Sequence, residues 1–346
     1  MIQTLLSRVL SAPDSPTADL YFMNSCGDFL AIGGGAGVTR LAPTVFASSG
    51  ACLVMRHEMR APKLSDERLP GGRRLIYFVD DAVDRGVNDA SLPFLYRQKL
   101  RLVERASARR IGQRAAVAVV GSAELARRFA RPDSLGIETH LIHPYWSEPI
   151  AGHQHFAPLI AGEGWADIAY LGSAVHRADL EFLWPVIGAV LTAHPRVRFH
   201  LAARHRVPVG LAGHPRLVRI PGVGWGAYRA GLAGRRFHLA LYPLMETEFN
   251  RARSLNKLIE HGVVGAAALY SRSWSEAWRA SESGAGLTLR NDREDWRAAI
   301  EHLLARPEAM RGLAAGAGAL ARALNRPEPQ RRLWGELMAV QVHAAA

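Results

Sequence analysis

Short apolar runs alternate with amphipathic segments throughout the second half of the chain. Runs of four to six apolar residues predict buried strands at Ile168–Gly172, Val197–Ala202, Leu217–Ile220, Phe237–Tyr242, Ala266–Ser271 and Gly286–Leu289. Helical spacing separates them at Leu180–Ala193, Trp225–Ala233, Ser254–Gly262 and Asp292–Leu304. This alternation is typical of βαβ units, and it predicts a parallel, doubly wound sheet that is covered on both faces.

The first half of the chain carries a less regular pattern of the same α/β class. It predicts strands at Leu53–Met55, Leu75–Val79, Ala116–Val120 and, more briefly, Leu141–Ile142, with helices at Pro93–Arg114 and Ser122–Phe129. The segment Trp146–Trp165 contains prolines, glycines and histidines without periodicity, so we interpret it as a linker. We therefore predict two Rossmann-like domains, residues 1–150 and 166–325, that face each other across a cleft. Ligands in such sheets bind beyond the carboxyl ends of the strands.

The composition indicates the net charge of the protein and the compartment in which we expect it. The 346 residues are 49% apolar and 21% charged, which is typical of a globular protein. Lysine and arginine outnumber acidic residues 43 to 31, and a net charge of +12 favours anionic partners such as nucleic acid, anionic lipid or phosphorylated small molecules. Cys26 and Cys52 show no CxxC spacing, and no long apolar run marks a signal peptide or membrane span. We expect a cytoplasmic protein, attached at most to a membrane surface.

The most informative segment lies between the strands that end at Tyr242 and begin near Ala266. A polar loop containing Asn250 leads into a helix that is predicted to start near Ser254. The start of a helix that follows a parallel strand binds phosphate well, because free N–H groups and a positive partial charge meet there. Ser254 can cap this helix or donate to a phosphate oxygen, and Lys257 can reach the same anion. Glu260 can accept hydrogen bonds from ribose hydroxyls; the alternative is a solvated Lys257–Glu260 pair.

The letters of this segment, PLMETEFNRARSLNKLIEHGVVGAAALYS, resemble the donor-site signature of GT-B glycosyltransferases of the family 4-like (group 1) type. YLGSAVHRADLEFL and VGWGAYRAGLAGRRFHLALYPL upstream, and GLTLRNDREDWRAAIEHLLARPEAMRGLA downstream, extend the resemblance over roughly Ile168–Ala315. It implies a GT-B fold with a nucleotide-sugar donor held by the second domain and an acceptor held by the first. It also implies that residues 326–346, through a helix at Pro327–Val340, return to the first domain. Ala252, Arg253, His238 and the strand start GAAALYS depart from the usual pattern, which leaves the sugar contacts open.

Further candidate site residues follow strands on both sides of the predicted cleft. His176 and Arg177 come after the strand ending at Gly172 and can contact the donor diphosphate, or simply form a helix entry. Asp80 and Asp81 end a buried strand and can bind acceptor hydroxyls or supply the general base, or form a turn. His57, between Arg56 and Glu58 after another strand, is an alternative base.

Three other patterns in the sequence involve glycines, arginines and histidines. Gly33-Gly34-Gly35-Ala36-Gly37 lacks the GK[ST] ending of a phosphate loop, so we interpret it as a turn without phosphate chemistry. A basic stripe, which we define as Arg97, Arg101, Arg105 and Arg109 on one predicted helix, suits either an anionic lipid surface or plain solvation. His140, His143, His153 and His155 form no metal-ligand pattern, so no metal is assigned.

Taken together, the sequence predicts a metal-independent glycosyltransferase that needs no cofactor beyond its nucleotide-diphosphate sugar. The donor would be held by His176, Arg177, Asn250, Ser254, Lys257 and Glu260. The acceptor would be a hydroxyl of a glycan or lipid-linked glycan, with Asp81, Asp80 or His57 as the catalytic base; nucleic acid is not an expected partner. Alternatives are a sugar-nucleotide epimerase of the same fold and a non-catalytic relative that binds polyanions or lipid. The sugar, the nucleotide base, the acceptor and the stereochemical outcome are not encoded in any motif.

Overall fold

The structure is a computed structural model, and it describes residues 15–30, 37–57, 73–129, 137–202 and 204–340. The glycine-rich run at 33–36 and Glu58, which entered the sequence-based predictions, lie outside the described residues.

The first domain is built on a six-stranded sheet in the order β1-β2-β3-β4-β5-β6. Its strands are β1 Thr39–Ala42, β2 Val45–Ala47, β3 Ala51–Met55, β4 Arg74–Val79, β5 Val117–Val120 and β6 Glu138–Leu141. Strands β3 to β6 are parallel, whereas β1, β2 and β3 pair antiparallel at one edge. The central strands are continuously apolar because helices cover both of their faces.

Four helical segments lie in the described part of this domain. They are α1 (residues 16–30), α2 (Val83–Gly86), α3 (residues 94–112) and α4 (Ala123–Phe129). Helix α3 corresponds to the predicted helix Pro93–Arg114, but its middle turn, Leu100–Glu104, is π-helical. A π turn winds more loosely than an α turn, so it shifts which side chains face the protein. Glu104, the last residue of this turn, is fully buried.

The second domain contains a parallel six-stranded sheet in the order β12-β11-β10-β7-β8-β9. Its strands are β7 Ala166–Tyr170, β8 Val197–Ala202, β9 Leu217–Ile220, β10 Leu239–Tyr242, β11 Ala267–Ser271 and β12 Leu287–Leu289. The helices from the linker onward are α5 Ala157–Ile160, α6 Arg177–Ala193, α7 Trp225–Ala233, α8 Glu248–Arg251, α9 Asn256–Val263, α10 Ala277–Glu282, α11 Arg293–Leu304, α12 Pro307–Leu324 and α13 Glu328–Met338. The strand order reverses between β7 and β10, and a crevice at such a switch point is where ligands of doubly wound sheets bind.

The last helix, α13, packs on the first domain rather than on the second. Trp334 is fully buried between Phe22 and Phe78, and its indole N–H donates to the Tyr21 carbonyl at 2.6 Å. Gln330 is also buried and donates to the carbonyls of Leu20 and His143. Helix α13 is thus attached to the first domain through buried aromatic packing and hydrogen bonds.

The chain passes from one domain to the other at two places, and hydrogen bonds join these two crossings. Trp146 lies at the first crossing and Asn325 at the second. The Trp146 backbone N–H donates to Asn325 Oδ1 at 2.7 Å, and Asn325 Nδ2 donates to the Trp146 carbonyl at 2.8 Å. The Trp146 indole N–H donates in turn to Asn256 Oδ1 at 2.7 Å, at the first residue of α9.

Within the part of the chain that is described, no helix has both the length and the apolar character needed to cross a bilayer.

Candidate functional site

Helix α9 turns its two predicted donor-binding side chains into the protein. Lys257 Nζ donates to the carbonyl of Leu171, just beyond the end of β7, at 2.7 Å. Glu260 is 2% exposed; it pairs with Lys257 and accepts a hydrogen bond from the Tyr228 hydroxyl at 2.8 Å. The Lys257–Glu260 pair is thus buried at the switch point of the sheet, and it is not the solvated surface pair that was the alternative.

The start of α9 differs in detail from the prediction. The helix begins at Asn256, and the preceding Leu255 is buried and provides no side-chain cap. Ser254 is therefore not the capping residue, because it lies one residue too early in the chain. Its hydroxyl instead faces the buried hydroxyl of Tyr21, which belongs to the first domain. Ser254 consequently lies where the two domains meet.

Arg253 connects the two domains through charged and polar groups. Its guanidinium contacts Asp81 of the first domain at 2.5 Å and Nε2 of His176 at 2.6 Å. Since a guanidinium can only donate, His176 Nε2 must be the acceptor and Nδ1 must carry the proton, facing Asp179 at 3.3 Å. Burial, and then the charge of Arg253, lower the His176 pKa below its usual value, so the imidazole is neutral at pH 7.

Arg56 organises the acidic groups of the first domain. It follows β3 in a left-handed backbone conformation, with φ of 65°, which is uncommon outside glycine. Its guanidinium contacts Asp80 at 3.1 Å, Asp81 at 2.7 Å and the buried Glu104 at 2.6 Å. Lys99 contacts the other Glu104 oxygen at 2.9 Å. Three carboxylates are thereby gathered around one cation at the edge of the cleft.

The two adjacent aspartates differ in basicity. Burial alone would raise the Asp81 pKa, but the charges of Arg253 and Arg56 outweigh it and lower this pKa to about 2. The Asp80 pKa is raised instead, because burial and the neighbouring Asp81 charge exceed the effect of Arg56. Asp80 also accepts a hydrogen bond from the Thr17 hydroxyl at 2.8 Å. Asp80 is therefore the better proton acceptor of the pair.

His57, the alternative base, lies on the Glu104 side of this cluster. Burial lowers its pKa to about 4, so its imidazole is neutral at ordinary pH. Nδ1 is buried and makes no hydrogen bond with any residue that the structure describes. The charged groups that act on His57 are Glu104, Lys99 and Arg56.

Two predicted donor residues are turned away from this cluster. The side chain of Arg177 is 60% exposed and pairs with Glu181 on the outer face of α6. Asn250 is buried and folds back on its own loop, where Nδ2 donates to the Met245 carbonyl at 2.9 Å. Of the six predicted donor residues, the structure brings His176, Ser254, Lys257 and Glu260 to the gap between the domains.

The loop that precedes α9 is docked on the first domain by Phe249, which belongs to the donor-site signature but to which the sequence assigned no role. Phe249 is buried against Gly86 and Leu100, and a Cβ at Gly86 would lie 2.7 Å from the Phe249 ring. The neighbouring Ala252 carbonyl accepts from the Ser122 hydroxyl at 2.8 Å. Only glycine at position 86 lets the ring approach this closely. No feature of the sequence indicated this contact, because it joins segments more than 150 positions apart.

The cations of the site are lysine and arginine side chains. Arg56, Arg253 and Lys257 all lie at the gap between the domains, and Arg253 joins its two sides. Among the residues described, no group of three or more histidine, cysteine, aspartate or glutamate side chains is arranged to hold a metal ion.

No family model matches the chain, and no curated protein matches it significantly in sequence. Solved structures do share its architecture. Sucrose-phosphate synthase from Thermosynechococcus elongatus superposes with a TM-score of 0.54 at 16% identity, over 80% of this chain and 70% of that one. Anabaena HepE in complex with UDP-glucose gives 0.56 at 11% identity, over 78% and 73%. WaaG, a glycosyltransferase involved in lipopolysaccharide biosynthesis, gives 0.55 at 14% identity, over 78% and 79%.

At these identities the likeness concerns the fold. The sheet order of the second domain, the crevice at its switch point and the return of α13 to the first domain agree with it. The chain therefore has the GT-B fold, with two Rossmann-like domains facing each other across a cleft.

Proposed function

We propose that this protein is a glycosyltransferase that moves a sugar from a nucleotide-diphosphate sugar to a hydroxyl acceptor. One observation carries the proposal: Arg253 joins Asp81 of the first domain to the region of the second domain in which the buried Glu260 pairs with Lys257. The fold supports it as well, because HepE holds UDP-glucose in the same architecture.

The chemistry follows from the charges. The bond between the anomeric carbon and the diphosphate oxygen breaks, and a bond to the acceptor oxygen forms. Lys257, Arg253 and the start of α9 would stabilise the negative charge that develops on the departing diphosphate. Glu260 would accept from the ribose hydroxyls, and Asp80 would take the proton of the acceptor hydroxyl. A diphosphate would compete with Asp81 for Arg253, so donor binding would loosen this contact between the domains. Since these cations replace a metal ion, we propose that transfer is metal-independent.

The donor site is tested by replacing Lys257. In a thermal-shift panel of UDP-, GDP- and other nucleotide sugars, at least one compound should stabilise the wild type. Lys257→Ala should lose most of that shift, because it removes the cation nearest the end of β7. Losing about tenfold in affinity corresponds to about 1.4 kcal/mol, a reasonable value for one charge-assisted contact.

Two further variants keep this test interpretable. Lys257→Met combined with Glu260→Gln leaves no unpaired buried charge, so it separates loss of binding from misfolding. Arg332→Ala changes an exposed cation on α13 and should leave the shift unchanged. The proposal is wrong if no nucleotide sugar stabilises the wild type, or if the Lys257 variants respond as the wild type does.

We also propose that the acceptor is met at an anionic membrane surface, through the exposed face of α3. This face carries Phe94, Leu95 and Leu102, with exposed fractions of 57%, 42% and 61%. Arg101 and Arg109 of the basic stripe are exposed beside them, whereas Arg97 and Arg105 are half-buried. Apolar side chains next to arginines suit the boundary between head groups and acyl chains.

Vesicle co-sedimentation tests this surface. The protein should bind vesicles that contain phosphatidylcholine and phosphatidylglycerol in equal parts, and salt should weaken the binding. Leu95→Ser with Leu102→Ser should lower the bound fraction severalfold, because it removes the exposed apolar part of the face. Equal binding by that variant, or by pure phosphatidylcholine vesicles, would contradict the proposal.

A further inference from the structure

A second cavity, separate from the gap between the domains, lies in the second domain. It has a volume of about 250 Å³ and lies beside the loop that follows β7. Leu180 and Trp184 of α6, together with Pro208, form its apolar wall. Trp184 is only 7% exposed and packs edge to face against Phe199, so this wall is rigid. The cavity therefore has an apolar wall that is held in place by core packing.

The polar rim of the cavity is formed mainly by arginines. Arg177, Arg204 and Arg206 line it together with a single carboxylate, Glu181. Glu181 is paired with Arg177. Arg204 and Arg206 make no hydrogen bond or ion pair with any described residue. The rim thus carries an excess of positive charge that nothing in the described protein neutralises.

The loop that carries these two arginines is held in place by the residue between them. His205 is 5% exposed; its Nε2–H donates to the Gly172 carbonyl at 2.8 Å, and its ring packs on Tyr170. Because His205 points into the protein, Arg204 and Arg206 on either side of it are left at the cavity. The Arg204 side chain also lies across Gly222, where a Cβ would be 3.1 Å from its Cγ and Nε. The buried contacts of His205 thus fix the loop, and the exposed Arg204 and Arg206 stand on either side of it at the mouth of the cavity.

The cavity is distinct from the Lys257 site. Lys257 bonds to the Leu171 carbonyl, whereas His205 bonds to that of Gly172. None of the residues that line the cavity belongs to the network of Arg56, Asp81, Arg253 and Lys257. Occupation of one site therefore does not require side chains of the other.

We propose that this cavity binds a small molecule that joins a phosphate group to an aromatic or other flat apolar body, independently of the sugar donor. Guanidinium groups pair with phosphate through parallel N–H donors, and Arg204 and Arg206 have their donors free for this purpose. Trp184 and Leu180 would pack against the apolar body. The inference does not depend on the proposed transfer reaction.

Phenyl phosphate is the probe that carries both chemical features. Calorimetry should show one phenyl phosphate bound per wild-type chain, with phenol binding far more weakly. Arg204→Gln with Arg206→Gln should raise the Kd for phenyl phosphate about tenfold or more. Arg311→Gln with Arg332→Gln, which removes two exposed arginines elsewhere, should leave the Kd unchanged. Both double variants should melt close to the wild-type temperature without ligand, because neither removes a hydrogen bond or ion pair with a described residue.

A competition experiment separates this inference from the proposed function. Lys257→Ala should bind phenyl phosphate as the wild type does. Saturation with whichever nucleotide sugar stabilises the protein should leave the phenyl phosphate Kd within twofold. The inference is overturned if phenyl phosphate does not bind, if binding survives the loss of Arg204 and Arg206, or if the nucleotide sugar displaces it. If no nucleotide sugar binds but phenyl phosphate does, the transferase proposal fails and the cavity proposal stands.

Discussion

Asp80→Asn is expected to lower kcat/KM for sugar transfer by about 10²- to 10⁴-fold, the usual contribution of a general base. The neighbouring Asp81 is held between Arg56 and Arg253 with its pKa lowered to about 2, so it accepts a proton poorly. Asp80 lies beside it with a raised pKa. Asparagine keeps the size of the side chain and can still bond to Thr17, so the change removes basicity more than structure.

The pH dependence of transfer gives a second readout for Asp80. The base must be deprotonated to act, so wild-type activity should fall as the pH drops through the Asp80 pKa. Because burial and the Asp81 charge raise that pKa, the fall should occur at a higher pH than for an ordinary carboxyl group. The Asn variant should retain a low activity that lacks this acidic limb.

Initial rates with a donor found in the nucleotide-sugar panel provide the measurement. Asp84→Asn is the matched control, since this nearby carboxyl is 63% exposed and pairs only with Arg85 among the described residues. It should retain nearly full activity. A rate for Asp80→Asn within twofold of the wild type would remove Asp80 from the mechanism.

Trp334→Ala is expected to lower the free energy of unfolding by about 3–5 kcal/mol. The indole is fully buried, packs on Phe22 and Phe78, and donates to the Tyr21 carbonyl. Alanine would leave a cavity between α13 and the first sheet and would leave that carbonyl without its donor. Urea denaturation followed by circular dichroism measures the change.

Arg332→Ala is the control for Trp334, because Arg332 lies on the exposed side of the same helix. It should change the free energy of unfolding by less than about 0.5 kcal/mol. If Trp334→Ala also changes it by less than 1 kcal/mol, α13 is not an integral part of the first domain.

The second sheet could be predicted because each of its strands is a short, continuous apolar run. Val197–Ala202 and Leu217–Ile220 have the bounds that the pattern predicted, and the other strands differ by at most two residues at either end. Buried parallel strands are recognisable as such runs because helices cover both of their faces. Strands β1 and β2 were not predicted. They have only four and three residues, and Pro43 lies in the turn between them.

The sequence predicted the candidate site only for residues that lie close together in the chain. Lys257 and Glu260 lie three positions apart on one helix, so their common direction could be worked out from the sequence. The contacts of Arg56 and Arg253 with Asp81 join strand ends from separate parts of the chain. Arg177 is turned outward because Glu181, one helical turn away, pairs with it. Such outcomes depend on which partner a long side chain finds, and spacing alone does not determine that.

The paired crossings at Trp146 and Asn325 restrict how the two halves of the molecule can move. A single connecting segment would leave the two domains free to twist as well as to bend relative to each other. Here the two connecting segments are held side by side by reciprocal hydrogen bonds. They therefore favour rotation of one domain relative to the other about a single axis near Trp146 and Asn325. The indole of Trp146 reaches from this axis to Asn256, so the pivot is anchored to the first turn of the helix that carries Lys257.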